Sequence, residues 1–290
     1  MQNKQAVSFK EATGVIQYNM TNDYMFRYIL QKNEKVLRGL ICSLLHLNPE
    51  QIKKVEITNP INLNEEIKGK EFILDINVML NDDTQINLEM QVENKHNWVD
   101  RSLAYLCRSF DQLYQGQEYE EALPVIHIGF LDYTLFPDDP EFYATNMLMN
   151  KKSHRIYSDK FKLSVVNLTQ IELATEEDKA YQIDYWARLF KAKTWEEIKM
   201  LAEKSEFLQE AAQSVYVANA DEIVRQKCRA REEAERHERT MKRKMEKLEE
   251  ENETLQKDNA AKDAHIVTLQ EDNAAKDAYI AELEAKLAER

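Results

Sequence analysis

Glycine and proline run out early in this chain. All five of each lie at or before Pro140 in a sequence of 290 residues. Nothing therefore breaks the backbone in the second half, whose Ala, Glu, Lys and Leu content favours long helices. Cysteine is scarce: Cys42, Cys107 and Cys228 stand apart, with no C-x-x-C pair and no histidine at ligand spacing. That argues against structural zinc and fits a reduced, cytoplasmic protein. No apolar run is long enough to span a bilayer, and the amino terminus MQNKQAVSFKEATG lacks the apolar centre of a secretory signal. Positive charge is also short. A net charge of −13 argues against coating DNA by charge alone, although basic contacts can be local.

What is present divides into a mixed, turn-containing front and a helical back. Asn22 or Asp23 is placed to cap a helix that carries Phe26, Ile29 and Leu30 on one face. A second helix is expected over Val36 to Leu47, ended by Asn48-Pro49. Lys54 to Thr58 reads as a short strand. The centre is the stretch Phe72 to Val92, FILDINVMLNDDTQINLEMQV, which reads as two strands joined at Asn81-Asp82-Asp83-Thr84. In the second strand Ile86, Leu88, Met90 and Val92 alternate with Asn87, Glu89, Gln91 and Glu93. Hairpin pairing can set Asp75 beside Glu89 and Gln91. Adjacent carboxylates repel unless a proton or cation lies between them, and hard oxygen ligands with room for water suit Mg²⁺ better than zinc. The competing reading is an ordinary hairpin whose polar face meets water.

Downstream, Asn94 to Tyr114 is amphipathic, with Trp98, Leu103, Leu106, Phe110 and Leu113 on its apolar side. Leu123 to Leu131, LPVIHIGFL, is the best candidate for a fully buried central strand. Its His127 reads as a satisfied core histidine. Phe161 to Leu168 reads as the last strand, a candidate for the sheet edge. From Ile171 onward the pattern is helical, with Thr175 and Thr194 as caps; Glu197 completes a capping box after Thr194, and Asp178 makes a weaker match after Thr175. Between Arg225 and Lys247 ten Lys or Arg stand against five Glu. Such a helix either tracks phosphates or is laced with i,i+4 ion pairs.

Asp on one strand followed by Glu-x-Gln on the next resembles the active-site core of the PD-(D/E)XK nuclease superfamily. The flanking stretches TNDYMFRYIL and RSLAYLCRSFDQLY resemble, in their order, one bacterial branch of it, the recombination-promoting nuclease (Rpn) or transposase-like family. The resemblance covers about Met20 to Asp221. It implies a restriction-endonuclease-like α/β fold, a mixed sheet flanked by helices, followed by a helical subdomain and a C-terminal coiled coil. The corresponding segments are a leader (1–16), a nuclease-like domain (17–172), a helical subdomain with the basic helix (173–240) and the coiled coil (241–290). It further implies a metal-dependent DNA endonuclease in which Asp75, Glu89 and the backbone carbonyl of Met90 bind Mg²⁺, or Mn²⁺ or Ca²⁺, and Gln91 stands where the superfamily usually has Lys. Gln hydrogen-bonds but supplies no cation, so either Gln suffices, as the family pattern implies, or a nearby group such as Lys95 or Arg101 fills in, with Tyr105 near the phosphate. Asp23, or failing that Glu34, is the candidate for a further acid. The alternative is a catalytically weak DNA-binding or interaction protein on the same scaffold.

The tail repeats itself: LQKDNAAKDAHIVT (255–268) recurs as LQEDNAAKDAYIAE (269–282), two heptads apart. Met245, Asn252, Asn259, Ile266, Asn273, Ile280 and Leu287 then occupy a positions. Leu248, Leu255, Lys262, Leu269, Lys276 and Leu283 occupy d. Asn at a favours a parallel dimer in fixed register, so self-association is expected.

Overall fold

Short polar side chains start most of the helices. In the computed structural model, which describes residues 8–60, 75–113 and 116–288, Asn22 caps α1 (Asp23–Lys32) by accepting from the Met25 N–H. Asn33 does the same for α2 (Glu34–Leu45). The strands are β1 (Val55–Ile57), β2 (Ile76–Leu80), β3 (Thr84–Gln91), β4 (Val125–Leu131), β5 (Tyr143–Met149) and β6 (Ile156–Asn167), with α3 (Trp98–Phe110) between β3 and β4. They form one six-stranded mixed sheet in the order β1-β2-β3-β4-β6-β5. β3, β4 and β6 are parallel at its centre, and antiparallel neighbours lie on both sides. The Phe72 to Leu74 part of the expected first strand lies outside the described residues.

Two strand expectations are corrected. β6 is not at the edge: β5, which the sequence did not reveal, pairs outside it. β5 alternates too weakly to be read, because most of it faces water on both sides. The front of β6 is exposed for the same reason, so only its buried back half from about Phe161 carried a strand signal. β4, by contrast, is buried along its whole length, as a strand covered on both faces must be.

The sheet separates two apolar layers. Ile86, Leu88 and Met90 of β3 and Ile126, Ile128 and Phe130 of β4 enter the larger one with α1 and α2. Of the later helices α4 (Glu176–Ala180), α5 (Ile183–Lys191), α6 (Trp195–Ala202) and α7 (Glu206–Ala220), the last three also join it. Phe26, Phe130 and Phe190 meet there with ring centroids 5.3–5.6 Å apart, and Trp186 Nε1–H donates to Ser43 Oγ at 3.0 Å. Thr175 and Thr194 both form capping boxes. On the opposite face Val125, Leu131, Leu163 and Val165 pack against Trp98 and Leu106 of α3. The contact is close because β4 has Gly129 there: a Cβ would lie 2.0 Å from Trp98 Cζ2.

α8 (Glu222–Ala288) is a single long helix. Its first turns belong to the compact unit Met1–Glu232, with Val224 and Cys228 in the core, and the rest makes up a second unit, Glu233–Arg290. Met245, Leu248, Leu255, Ile266, Leu269, Ile280 and Leu283, the expected seam residues, are exposed along it. Among the described residues no helix is long and apolar enough to cross a membrane.

Candidate active site

The β2–β3 turn sets the register on which the site depends. Asn81 and Asp82 adopt left-handed φ of 53° and 61°, a conformation that Asn and Asp tolerate better than other side chains. Asn81 Oδ1 accepts from the Lys53 and Lys54 N–H groups and pins the turn to β1. Ile76 then pairs with Leu88 and Asn77 with Asn87. Asp75 is the residue just before β2, near enough to Glu89 for the two carboxyls to act on each other electrostatically.

Asp75 is held through its backbone. The guanidinium of Arg27, wholly buried on α1, donates to the carbonyls of Asp75 and Asn59. Asn59 adds its own Nδ2–H to the Asp75 carbonyl at 3.0 Å and accepts from the Asn77 N–H at 2.8 Å. Arg27 keeps its charge at neutral pH although burial pushes its pKa down to about 10. The sequence reading missed this residue. Its signal is a lone arginine in a helix that buries almost every residue from Asp23 to Leu30.

Glu89 is 4% exposed. Its Oε1 lies 2.7 Å from Arg101 Nη2 and its Oε2 3.7 Å from His127 Nε2. The Arg101 guanidinium stacks over the Tyr105 ring at 5.2 Å, a cation–π contact that orients its plane. The Lys95 charge also acts on Glu89. Gln91, on the same face one strand repeat further on, donates from Nε2 to the Glu93 carbonyl at 3.0 Å. Met90 lies between the two, with its side chain in the opposite core. Asp75, Glu89, Gln91, Lys95, Arg101 and Tyr105 are thus gathered on the face that α3 covers.

Asp23 is engaged elsewhere: its Oδ2 takes Arg231 Nε at 2.6 Å, and the cap is Asn22. Burial raises the Asp23 carboxyl pKa and Arg231 opposes the rise, with no part played by Asp75 or Glu89. Glu34 pairs with Arg38 at its own helix surface. His127 is buried, but it is not the satisfied core histidine expected: neither ring nitrogen has a hydrogen-bond partner among the described residues.

Burial, and then the neighbouring Asp75 carboxylate, push the Glu89 carboxyl up to about 8. Burial likewise raises Asp75, against the pull of Arg101 and Arg27. Burial moves the His127 imidazole the other way, down to about 4. The linkage signs follow. Folded Glu89 binds its proton more tightly than the unfolded chain, so its stability contribution is complete below about 4.5 and is lost as pH rises to about 8. Folded His127 resists protonation, so its contribution is complete above 6.5 and is lost as pH falls to about 4. The two slopes oppose each other up to about 6.5, and beyond that only the Glu89 loss remains. In chelator, melting temperature is therefore expected to fall between about pH 6.5 and pH 8. Glu89→Gln should flatten that slope, which a thermal melt series reads directly.

A model of the PD-(D/E)XK nuclease family transposase matches residues 20–245, most of the chain including α1, the hairpin, α3 and the helices up to the first part of α8. The chain belongs to that family. No curated protein and no solved structure gives a significant match. The family name points to a nuclease, and PD-(D/E)XK nucleases generally use divalent metal ions. The residues present fit such an ion. Gln91 Oε1 is buried without a hydrogen-bond partner among the described residues, on the same face of β3 as the Glu89 carboxylate. Both are hard oxygen donors. No group of three or more His, Cys, Asp or Glu side chains suited to a metal occurs among the described residues. An ion here would rest on two carboxylates, amide or carbonyl oxygens, and water, as suits Mg²⁺.

Proposed function

We propose that this member of the PD-(D/E)XK nuclease family transposases is a divalent-metal-dependent DNA endonuclease that hydrolyses phosphodiester bonds, cytoplasmic and acting in recombination or transposition-like DNA processing. The observation that carries this reading is the Asp75–Glu89 pair: one half-buried and one buried carboxyl, whose joint ionisation is disfavoured by desolvation and repulsion and would be stabilised by a cation between them. Asp75, Glu89 and the Met90 carbonyl hold the ion, Mg²⁺ by preference. When bound, it lowers the pKa of a coordinated water and neutralises charge on the phosphate. Gln91 orients the attacking water through its amide oxygen. Arg101, half-exposed above Tyr105, and Lys95 bind phosphate oxygens and supply the positive charge that Gln91 lacks. Phosphate contacts of this kind position DNA without reading its sequence.

Supercoiled plasmid cleavage tests the reading. Nicking should require Mg²⁺ or Mn²⁺ and stop in chelator. Asp75→Ala and Glu89→Ala should each lose several kcal/mol of transition-state stabilisation, about 100-fold or more in rate. The second reading, a DNA-binding scaffold without turnover, is favoured by Gln91 in place of Lys and by the Arg101 guanidinium on Glu89. Tight plasmid binding with no cutting across several divalent ions would decide for it.

The C-terminal helix makes the enzyme a parallel coiled-coil dimer in this proposal, with two catalytic domains able to address two strands. Seven seam residues exposed on one helix are the support, and Asn252, Asn259 and Asn273 select the register. Sedimentation should give a dimer for the full chain and a monomer for residues 1–240. In the basic stretch, Arg225 and Arg231 are committed to Glu222 and Asp23, and Lys242 and Lys247 lie 3.9 and 3.8 Å from Glu246 and Glu251, contacts of the kind expected of a helix laced with ion pairs.

A further inference from the structure

His127 stands in the middle of β4 between Ile126 and Ile128, 0% exposed. Leaving a buried polar atom unpartnered destabilises a fold, and both imidazole nitrogens are in that condition among the described residues. An apolar residue would suit this strand better unless the ring has a partner in some state of the site. The acceptor that faces it is Glu89 Oε2, itself buried and unpartnered, 3.7 Å from Nε2. A hydrogen bond needs about 3 Å, so a small rotation of the carboxylate closes the gap.

Arg101 draws the carboxylate the other way, holding Oε1 at 2.7 Å. The imidazole cannot turn aside easily, since the Trp98 ring lies 5.4 Å from it and the Tyr105 ring 6.2 Å. Arg101 and an ion compete for the same oxygen. A neutral donor is the right partner for the other one, because a second cation would repel the ion.

We propose that His127 is a positioning residue for Glu89: its Nε2–H holds the second carboxylate oxygen from inside the sheet, which leaves Oε1 to the divalent ion and frees Arg101 for the phosphate. The proposal rests on the reading of Asp75 and Glu89 as the ion-binding pair. Carboxylate ligands are commonly steadied in this way, and losing such an outer partner typically weakens metal affinity about 10–100-fold.

Mn²⁺ binding to the full chain, followed by electron paramagnetic resonance without DNA, tests it separately from turnover. Wild type should bind Mn²⁺ and Glu89→Ala should not. His127→Phe, which fills the space without a donor, should weaken binding about 10–100-fold. His127→Gln, which keeps an N–H donor, should recover most of that loss. Unchanged affinity in His127→Phe together with lost binding in Glu89→Ala overturns the role of His127 alone. Equal binding by wild type and Glu89→Ala, or binding by neither, overturns the ion site and this role with it. Should the Phe variant fail to fold, ¹⁵N spectra of wild type with Mg²⁺ decide instead. The neutral Nε2–H tautomer supports the proposal, and the Nδ1–H tautomer, with a bare Nε2 facing the carboxylate, overturns it.

Discussion

Methionine in place of Arg27 is expected to destabilise the protein by about 3 kcal/mol and to reduce plasmid nicking on the order of 100-fold. Met fills much of the same volume, so the loss comes from hydrogen bonding. The Asn59 carbonyl loses the guanidinium N–H, and the Asp75 carbonyl keeps only the Asn59 amide. Hydrogen bonds from a charged donor contribute about 1.5–3 kcal/mol each, and an abandoned buried acceptor costs about 1–3 kcal/mol. The activity loss has a different origin. Asp75 precedes the first residue of β2, so the ladder does not hold it and the Arg27–Asn59 clamp does. A carboxylate displaced by about 1 Å loses much of its catalytic value. Urea unfolding reads the first effect and plasmid nicking in saturating Mg²⁺ the second. An Arg27→Met protein of wild-type stability and activity would refute the clamp. Lysine should rescue charge but not geometry, since one ammonium lacks the fork that reaches two carbonyls.

Gly129→Val is the second large perturbation. Even the first carbon of a side chain would meet Trp98 Cζ2 at 2.0 Å and Cη2 at 2.1 Å, so the indole must move and α3 with it. Overpacking costs typically about 1–3 kcal/mol, and here the upper end or beyond is expected, because Trp98 is itself buried between α3 and the sheet. Gly129 pairs with Glu89 in the β3–β4 register, and Arg101 follows Trp98 on α3. Moving α3 therefore separates Arg101 from Glu89. Melting temperature and near-ultraviolet circular dichroism should report the packing change, and nicking should fall with them. Adding Trp98→Leu should restore part of the stability, a non-additivity that marks two residues in direct contact. Additive losses from the pair would show that the indole does not set the distance of α3.

The two perturbations also mark where sequence reasoning succeeded and where it stopped. The alternation in β3 and the apolar run of β4 were readable, because a strand's burial writes itself into period two or into a continuous apolar stretch. The turn was readable from Asn81-Asp82. The capping boxes at Thr175 and Thr194 were readable, since a cap is a local hydrogen bond between residues three apart. The edge strand β5 was not readable, because a strand exposed on both faces has no apolar period. The helical stretch that starts at Thr175 is interrupted at Gln182, where φ is 61°; no glycine or proline announces the break.

The amino-acid sequence by itself determined the elements of the centre, the shared face of Glu89 and Gln91 on β3, and the family resemblance, all of which depend on neighbours close along the chain or on residue order. Only the tertiary structure decided that Arg27 clamps Asp75 from α1, that Arg231 rather than a metal site engages Asp23, and that His127 faces Glu89 without a partner. These contacts join residues 38 to 208 positions apart. They follow from how helices pack on the two faces of the sheet, and no period or spacing in one stretch of chain encodes where another stretch will land.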